Sequence, residues 1–282
     1  MLQAPQRTGL SGPTLIRLLT RLTDAEVQQS RQSLSDHLSQ WLGWTDAIAL
    51  SAALNTAPPV IAPGARMFSS AEERECVRVR TTLADAIASD TAATAAKRVA
   101  PARAPAKKLA AVLAEDEFDY SSFRQRYLSL QHTMETSVGN LRSRLRGMVA
   151  ARNGEWTRLA VVDAIMDRAL LPKERALLGA IPKLLQVHFD RLRKAEEAAL
   201  AQVAEQAQAE TGAPADAAAN AQGDTEAPAV DAAQAGTAPP APAITAGAWL
   251  DTFRADMRAV LLAELDVRFQ PVEGLLAALR TS

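Results

Sequence analysis

Apolar residues recur along this chain in stripes at helical spacing, separated by alanine- and proline-rich stretches that carry no such period. The most regular stripe runs Tyr120, Phe123, Tyr127, Leu130, Met134, Val138, Leu141, Leu145 and Met148, in steps of 3, 4, 3, 4, 4, 3, 4 and 3. That is close to the 3.5-residue period of a coiled-coil or bundle seam. Gly139 weakens the helix by roughly 1 kcal/mol against alanine. A turn is expected at Asn153-Gly154, after which the chain returns through Trp156, Leu159, Val162, Met166 and Leu170. Pro172 is expected to start a further helix and Pro182 to kink or restart it, with Leu185, Phe189 and Leu192 continuing the stripe. The pattern predicts a long antiparallel helical hairpin. Tyr120, Tyr127, Leu130, Met134, Leu141 and Leu145 are its core or interface positions.

Shorter stripes precede it. Pro13 suits the first turn of a helix, where its missing N–H costs nothing, and Leu15, Leu18, Leu19 and Leu22 then share one face. Thr23 and Glu26 form a capping box, with Leu22 and Val27 placed as a hydrophobic staple for the next helix. That helix carries Val27, Leu34, Leu38 and Trp41 and is expected to end at a left-handed Gly43, folding Trp44 back over Leu38. Thr45 would cap a third helix with Ile48, Leu50 and Leu54. Trp41 and Trp44 are therefore expected as core at a helical corner, the alternative being an exposed aromatic anchor for a partner. Ser70 and Glu73 form another capping box before Cys76, Val79, Leu83 and Ile87. Thr245 opens a last helix through Trp249, Phe253, Met257, Val260 and Leu261, which Pro271 is expected to break, leaving a short terminal helix.

Nowhere does period-2 alternation beat the helical period, so the expected class is all-α, a helical bundle built on the long hairpin. The expected layout is a helical module over 1–90, an Ala/Pro/basic linker over 91–115, and the hairpin over 116–210. A disordered acidic linker over 211–243 and docking helices over 244–282 complete it. Those last helices must dock on the chain's own hairpin or on another protein.

The 48% apolar content of the 282 residues is largely alanine and aromatic residues are only 4%, so core-forming residues are concentrated in the stripes. The formal charge of −1 gives no global pull toward nucleic acid or anionic membrane. Its distribution is uneven: Lys97, Arg98, Arg103, Lys107 and Lys108 cluster without an acid, and Arg124, Arg126, Arg142, Arg144, Arg146 and Arg152 face only Glu135 over 120–153. Residues 205–243 are acidic without a base. A single cysteine excludes an intramolecular disulfide and suits a reducing compartment. No apolar core of a secretory signal opens the chain, and no run of roughly 18 apolar residues offers a membrane span. The expectation is a cytoplasmic protein without direct membrane insertion.

Chemistry is sparse. His37, His132 and His188 are scattered, without the spacing of a metal site, and His188 reads as a boundary residue bonded locally, near Asp190. Cys76 fits an apolar face, with no base to activate it. No phosphate loop, dinucleotide fingerprint or nucleophile elbow occurs. Neither a metal, a cofactor nor an enzymatic activity is expected. Two readings remain. In one, the amphipathic stripes make a non-enzymatic adaptor or scaffold that binds partner helices. In the other, Lys107, Lys108, Arg142, Arg144 and Arg146 form a basic patch for salt-sensitive nucleic-acid binding, disfavoured by the balanced charge and the lack of interleaved aromatics.

The runs "RTGLSGPTLIRLLTRLTDAEV", "LSDHLSQWLGWTDAIALSAALN" and "DMRAVLLAELDVRFQPVEGLLAAL" resemble a family of proteobacterial helical proteins catalogued as domain of unknown function 3348, nearly end to end. The resemblance brings no catalytic residues. It implies a cytoplasmic accessory of an envelope-spanning, flagellar-stator-like assembly, with membrane coiled-coil proteins as partners. Apart from the resemblance, a homo-oligomer is a further expected form.

Overall fold

A computed structural model of the chain describes residues 13–23, 32–55, 68–99, 119–152, 154–211 and 247–281, with side chains over all of these but 90–99 and 207–211. They form eight helices and no strand: α1 (Thr14–Thr23), α2 (Leu34–Trp41), α3 (Trp44–Asn55), α4 (Ser70–Val99), α5 (Tyr120–Ala150), α6 (Gly154–Leu178), α7 (Ile181–Thr211) and α8 (Ala248–Arg280). The Thr23–Glu26 capping box, the Val27 staple, Lys107 and Lys108, and most of both linkers lie outside the described residues.

The organising element is α8, against which α1, α4, α5 and α7 all pack. It buries Trp249, Leu250, Phe253, Met257, Val260, Leu261, Leu265, Phe269, Val272, Leu275, Leu276 and Leu279, which cover a little more than half of its circumference, while Thr252, Ala255, Asp266, Gln270 and Glu273 lie on the exposed side. An apolar face that broad needs several neighbours to cover it. Its start is fixed by Gly247, whose φ of 86° is in the left-handed region open to glycine and whose N–H reaches the Glu196 carboxylate of α7 at 2.9 and 3.1 Å. Pro271 does not break it. The helix runs through that residue to Arg280, and the burial of Phe269, Val272, Leu275 and Leu276 around the proline offsets the lost backbone hydrogen bond.

Helices α5 and α6 pair antiparallel, with Arg142 reaching Asp163 and Asp167, Arg175 reaching Glu135 and Gln131 reaching the Leu178 carbonyl. The return arm continues unbroken past Pro172 and ends instead at Gly179. A Cβ there would sit 2.8 Å from the Arg175 carbonyl oxygen, so the tight end needs glycine. The chain restarts as α7 with Pro182 in its first turn, where a missing N–H is harmless. The α5 seam faces α8 and buries Tyr120, Phe123, Tyr127, Met134, Val138, Leu141, Leu145 and Met148. Leu130 is only half-buried, and Gln131 takes the inward position between Tyr127 and Met134. At one end, Phe123, Phe189, Trp249 and Phe253 meet with ring centroids 4.9–5.9 Å apart, mostly edge to face.

The cap of α4 is Ser69 with Glu72, one residue ahead of the expected Ser70–Glu73 pair: Ser69 N–H and Oγ both donate to Glu72 Oε2. The helix then extends to Val99, into the stretch expected as linker. Ser33 and Asp36 make a complete capping box for α2. The corner between α2 and α3 departs from expectation. Leu42 is extended, the positive-φ glycine among the described residues is Gly247 and not Gly43, and α3 begins directly at Trp44. Without a left-handed turn Trp44 is not folded back; it is 83% exposed, while Trp41 is half-buried beside His37.

Candidate functional site: an apolar cavity beside a buried charge network

The carboxylate of Glu264 on α8 is wholly buried yet fully engaged. Tyr127 Oη donates to Glu264 Oε2 at 2.7 Å, Gln131 Nε2 donates at 3.0 and 3.1 Å, and the Arg268 guanidinium one turn along lies at 2.9 Å. Arg268 Nη1 also donates to Glu174 Oε1 of α6 at 3.1 Å. A buried carboxylate is tolerable only when cation and donors saturate it, and here α5 and α8 supply them. Burial, reinforced by the adjacent Glu264 charge, pushes the Tyr127 hydroxyl far above its ordinary pKa of 10.0, so it stays a donor. Burial likewise raises the Glu174 carboxyl above its usual 4.5, against the pull of Arg268.

This network borders a cavity of about 510 Å³ between α1, α2, α5, α6 and α8, with Ile181 at the start of α7 also lining it. Leu15, Ile16 and Leu19 of α1, Trp41 of α2, Leu170, Leu171, Leu177 and Leu178 of α6, and Val267 and Pro271 of α8 wall it. Glu174 and Arg268 lie at its polar side with Arg142 and Asp167. Its arginines are committed to carboxylates: Arg268 to Glu264 and Glu174, Arg142 to Asp163 and Asp167. Among the described residues that line it there is no cysteine, serine or histidine. Such a cavity favours an apolar guest, because its walls are largely leucine and isoleucine and its arginines are already held by carboxylates.

The chain matches the family described as "Protein of unknown function (DUF3348)" over residues 1–281. It belongs to that family. No curated protein and no solved structure matches it. No described helix is long and apolar enough to cross a membrane.

In this DUF3348 chain the arginines singled out from sequence part company. Arg142 and Arg146 clamp Asp163 and Asp167 in a four-membered cluster, with closest approaches of 2.6–2.7 Å. Burial works against the Arg146 cation, but its hydrogen bonds to Asp167 and Asp163 prevail and raise its pKa. Arg144 points away, is largely solvated and lies 3.9 Å from Glu75. The signal in the sequence was a matched spacing: Arg142 and Arg146 are one turn apart on the outgoing arm, and Asp163 and Asp167 are one turn apart on the arm expected to return against it.

His188 is buried, not at a boundary, and its partner is not Asp190. Nε2 lies 2.9 Å from Asp256 Oδ2 on α8, and Nδ1 lies 3.2 Å from Arg191 Nη2. Since arginine only donates, Nδ1 accepts and Nε2–H donates to the aspartate. Cys76 is buried, and burial pushes its thiol pKa up, away from reactivity. No cluster of three metal-binding side chains occurs among the described residues.

Proposed function

We propose that this protein is a non-enzymatic cytoplasmic helical adaptor that holds an apolar segment of a partner protein in the cavity between α1, α2, α5, α6 and α8. The observation that carries the reading is the cavity itself: about 510 Å³ with a leucine- and isoleucine-rich wall, beside arginines that carboxylates already hold. A helix-in-groove contact needs that combination, since apolar anchors supply affinity and bordering charges supply register. The α5 seam is covered by α8, so the partner surface shifts from the hairpin's seam to this cleft. Membership of the family is consistent with an accessory of an envelope-spanning, stator-like assembly, the partner being a membrane coiled-coil protein. The nucleic-acid reading draws less support, because Arg142 and Arg146 already hold Asp163 and Asp167.

The test is a tagged pull-down from the native host using detergent-solubilised membranes, with a nuclease-treated parallel and a Leu170→Glu variant. A membrane coiled-coil protein recovered by the wild type, insensitive to nuclease and lost with Leu170→Glu, is the expected result. Recovery that vanishes with nuclease but ignores the variant would overturn the reading.

A further inference from the structure

Helix α3 carries a second, independent surface. Its inner side rests on α6, where Asp46 pairs with Arg168 at 2.9 Å and Ala49, Leu50 and Ala53 are half-buried. Its outer side presents Trp44, Ala47, Ile48, Ser51 and Leu54 within about a third of the helix circumference, at 100° per residue. Trp44 is 83% exposed, and Ile48 and Leu54 are each 53% exposed. Asp46 is the only charged residue of α3 and it is spent on the inner side, so the outer face has no charge at all. Its polar groups are already engaged: Asn55 Nδ2 donates to the Ser51 carbonyl at 2.9 Å and lies 3.4 Å from the Ser51 hydroxyl.

We infer that this face is a self-association surface and that its occupant is α3 of a second copy of the chain, laid antiparallel about a two-fold axis. Two features select a second copy. An uncharged face offers no charge pattern to specify a different partner, and two such faces meet without like-charge repulsion. The order of large and small residues is also self-complementary. With the axis passing between Ala49 and Leu50, Ile48 of each copy lies against Ser51 of the other, and Trp44 lies against the Leu54–Asn55 end. Large thus meets small at the centre, while the tryptophans clasp both ends, as an isologous contact requires. One helix face from each copy buries on the order of 1,000 Å² in total, the low end for specific interfaces, which sets a micromolar dimer rather than an obligate one.

The experiment is sedimentation velocity on the full chain across the micromolar range. The apparent mass is expected to rise with concentration from the 30.1 kDa monomer toward twice that value. Trp44→Glu and Ile48→Glu should each weaken the dimer by at least about tenfold, as central anchors do, with helicity unchanged because both side chains are exposed. Leu170→Glu in the cavity should leave it intact. A chain that stays monomeric throughout, or a dimer indifferent to both α3 variants, overturns the inference. Register is tested separately by oxidising an equimolar mixture of Ile48→Cys and Ser51→Cys chains. The mixed disulfide dimer should exceed twice the amount of either self-linked product, which is what random pairing gives, and a mixture at or below that ratio overturns the antiparallel pairing.

Discussion

Helices α3 and α8 are both rich in apolar residues, yet their charged and aromatic side chains end up in opposite places. In α8, Glu264, Arg254 and Arg268 are buried, while in α3 no residue is buried and a tryptophan faces solvent. Hydropathy alone would reverse both assignments. What separates them is enclosure. Four helices pack over the broad inner face of α8, so the ionic groups on that face must find partners inside, whereas α3 rests mainly on α6. Burial belongs to the assembly of helices, and a residue's own polarity only sets what that burial costs.

The sharpest way to break this contrast is to remove the anion in the core. Glu264→Ala leaves Tyr127 without its acceptor and Arg268 with Glu174 alone, and should destabilise the fold by roughly 3 kcal/mol, the lower end of the range for breaking a buried ion pair. A urea midpoint close to wild type would show that the network is solvated after all. A smaller effect is expected at the edge of the core. Asp163→Ala strips Arg142 and Arg146 of a shared acceptor, and its part-buried setting should limit the loss to about 2 kcal/mol, again read from urea unfolding. Smallest of all, Trp44→Ala should shift the stability of dilute monomer by no more than about 0.5 kcal/mol, as an exposed substitution does. A larger loss would mean that the side chain is enclosed by its own chain.

The helical plan was legible in the sequence because it rests on spacing, which a single chain carries in full. Eight of the nine seam residues of α5 are buried for that reason. The exception is instructive. Leu130 and Gln131 fit the spacing between Tyr127 and Met134 equally well, and hydropathy favours the leucine. The deciding group is Glu264, 133 residues away, which no local pattern reveals. The same holds for His188, whose partner Asp256 comes from a helix 68 residues on. Pro271 and Trp44 fail differently. A proline reads as a stop unless surrounding burial outweighs the lost hydrogen bond, and a glycine reads as a left-handed end although Gly43 makes none. The cavity was beyond reach altogether, since six helices contribute to it. Only the i,i+4 placement of Glu264 and Arg268 in line with Met257, Val260, Leu261 and Val272 hinted at polar groups on a core face.

The position of α8 in the chain also has a consequence for how the protein is made. Tyr127 and the carboxylate that receives its hydroxyl are 137 residues apart. At synthesis rates of about 5–20 residues per second, the α5 seam emerges roughly 7–27 s before the segment that covers it. During that interval the nascent chain displays an uncovered apolar strip. Trigger-type holding factors, or a separately supplied α8 peptide, would find it open then and closed ever after.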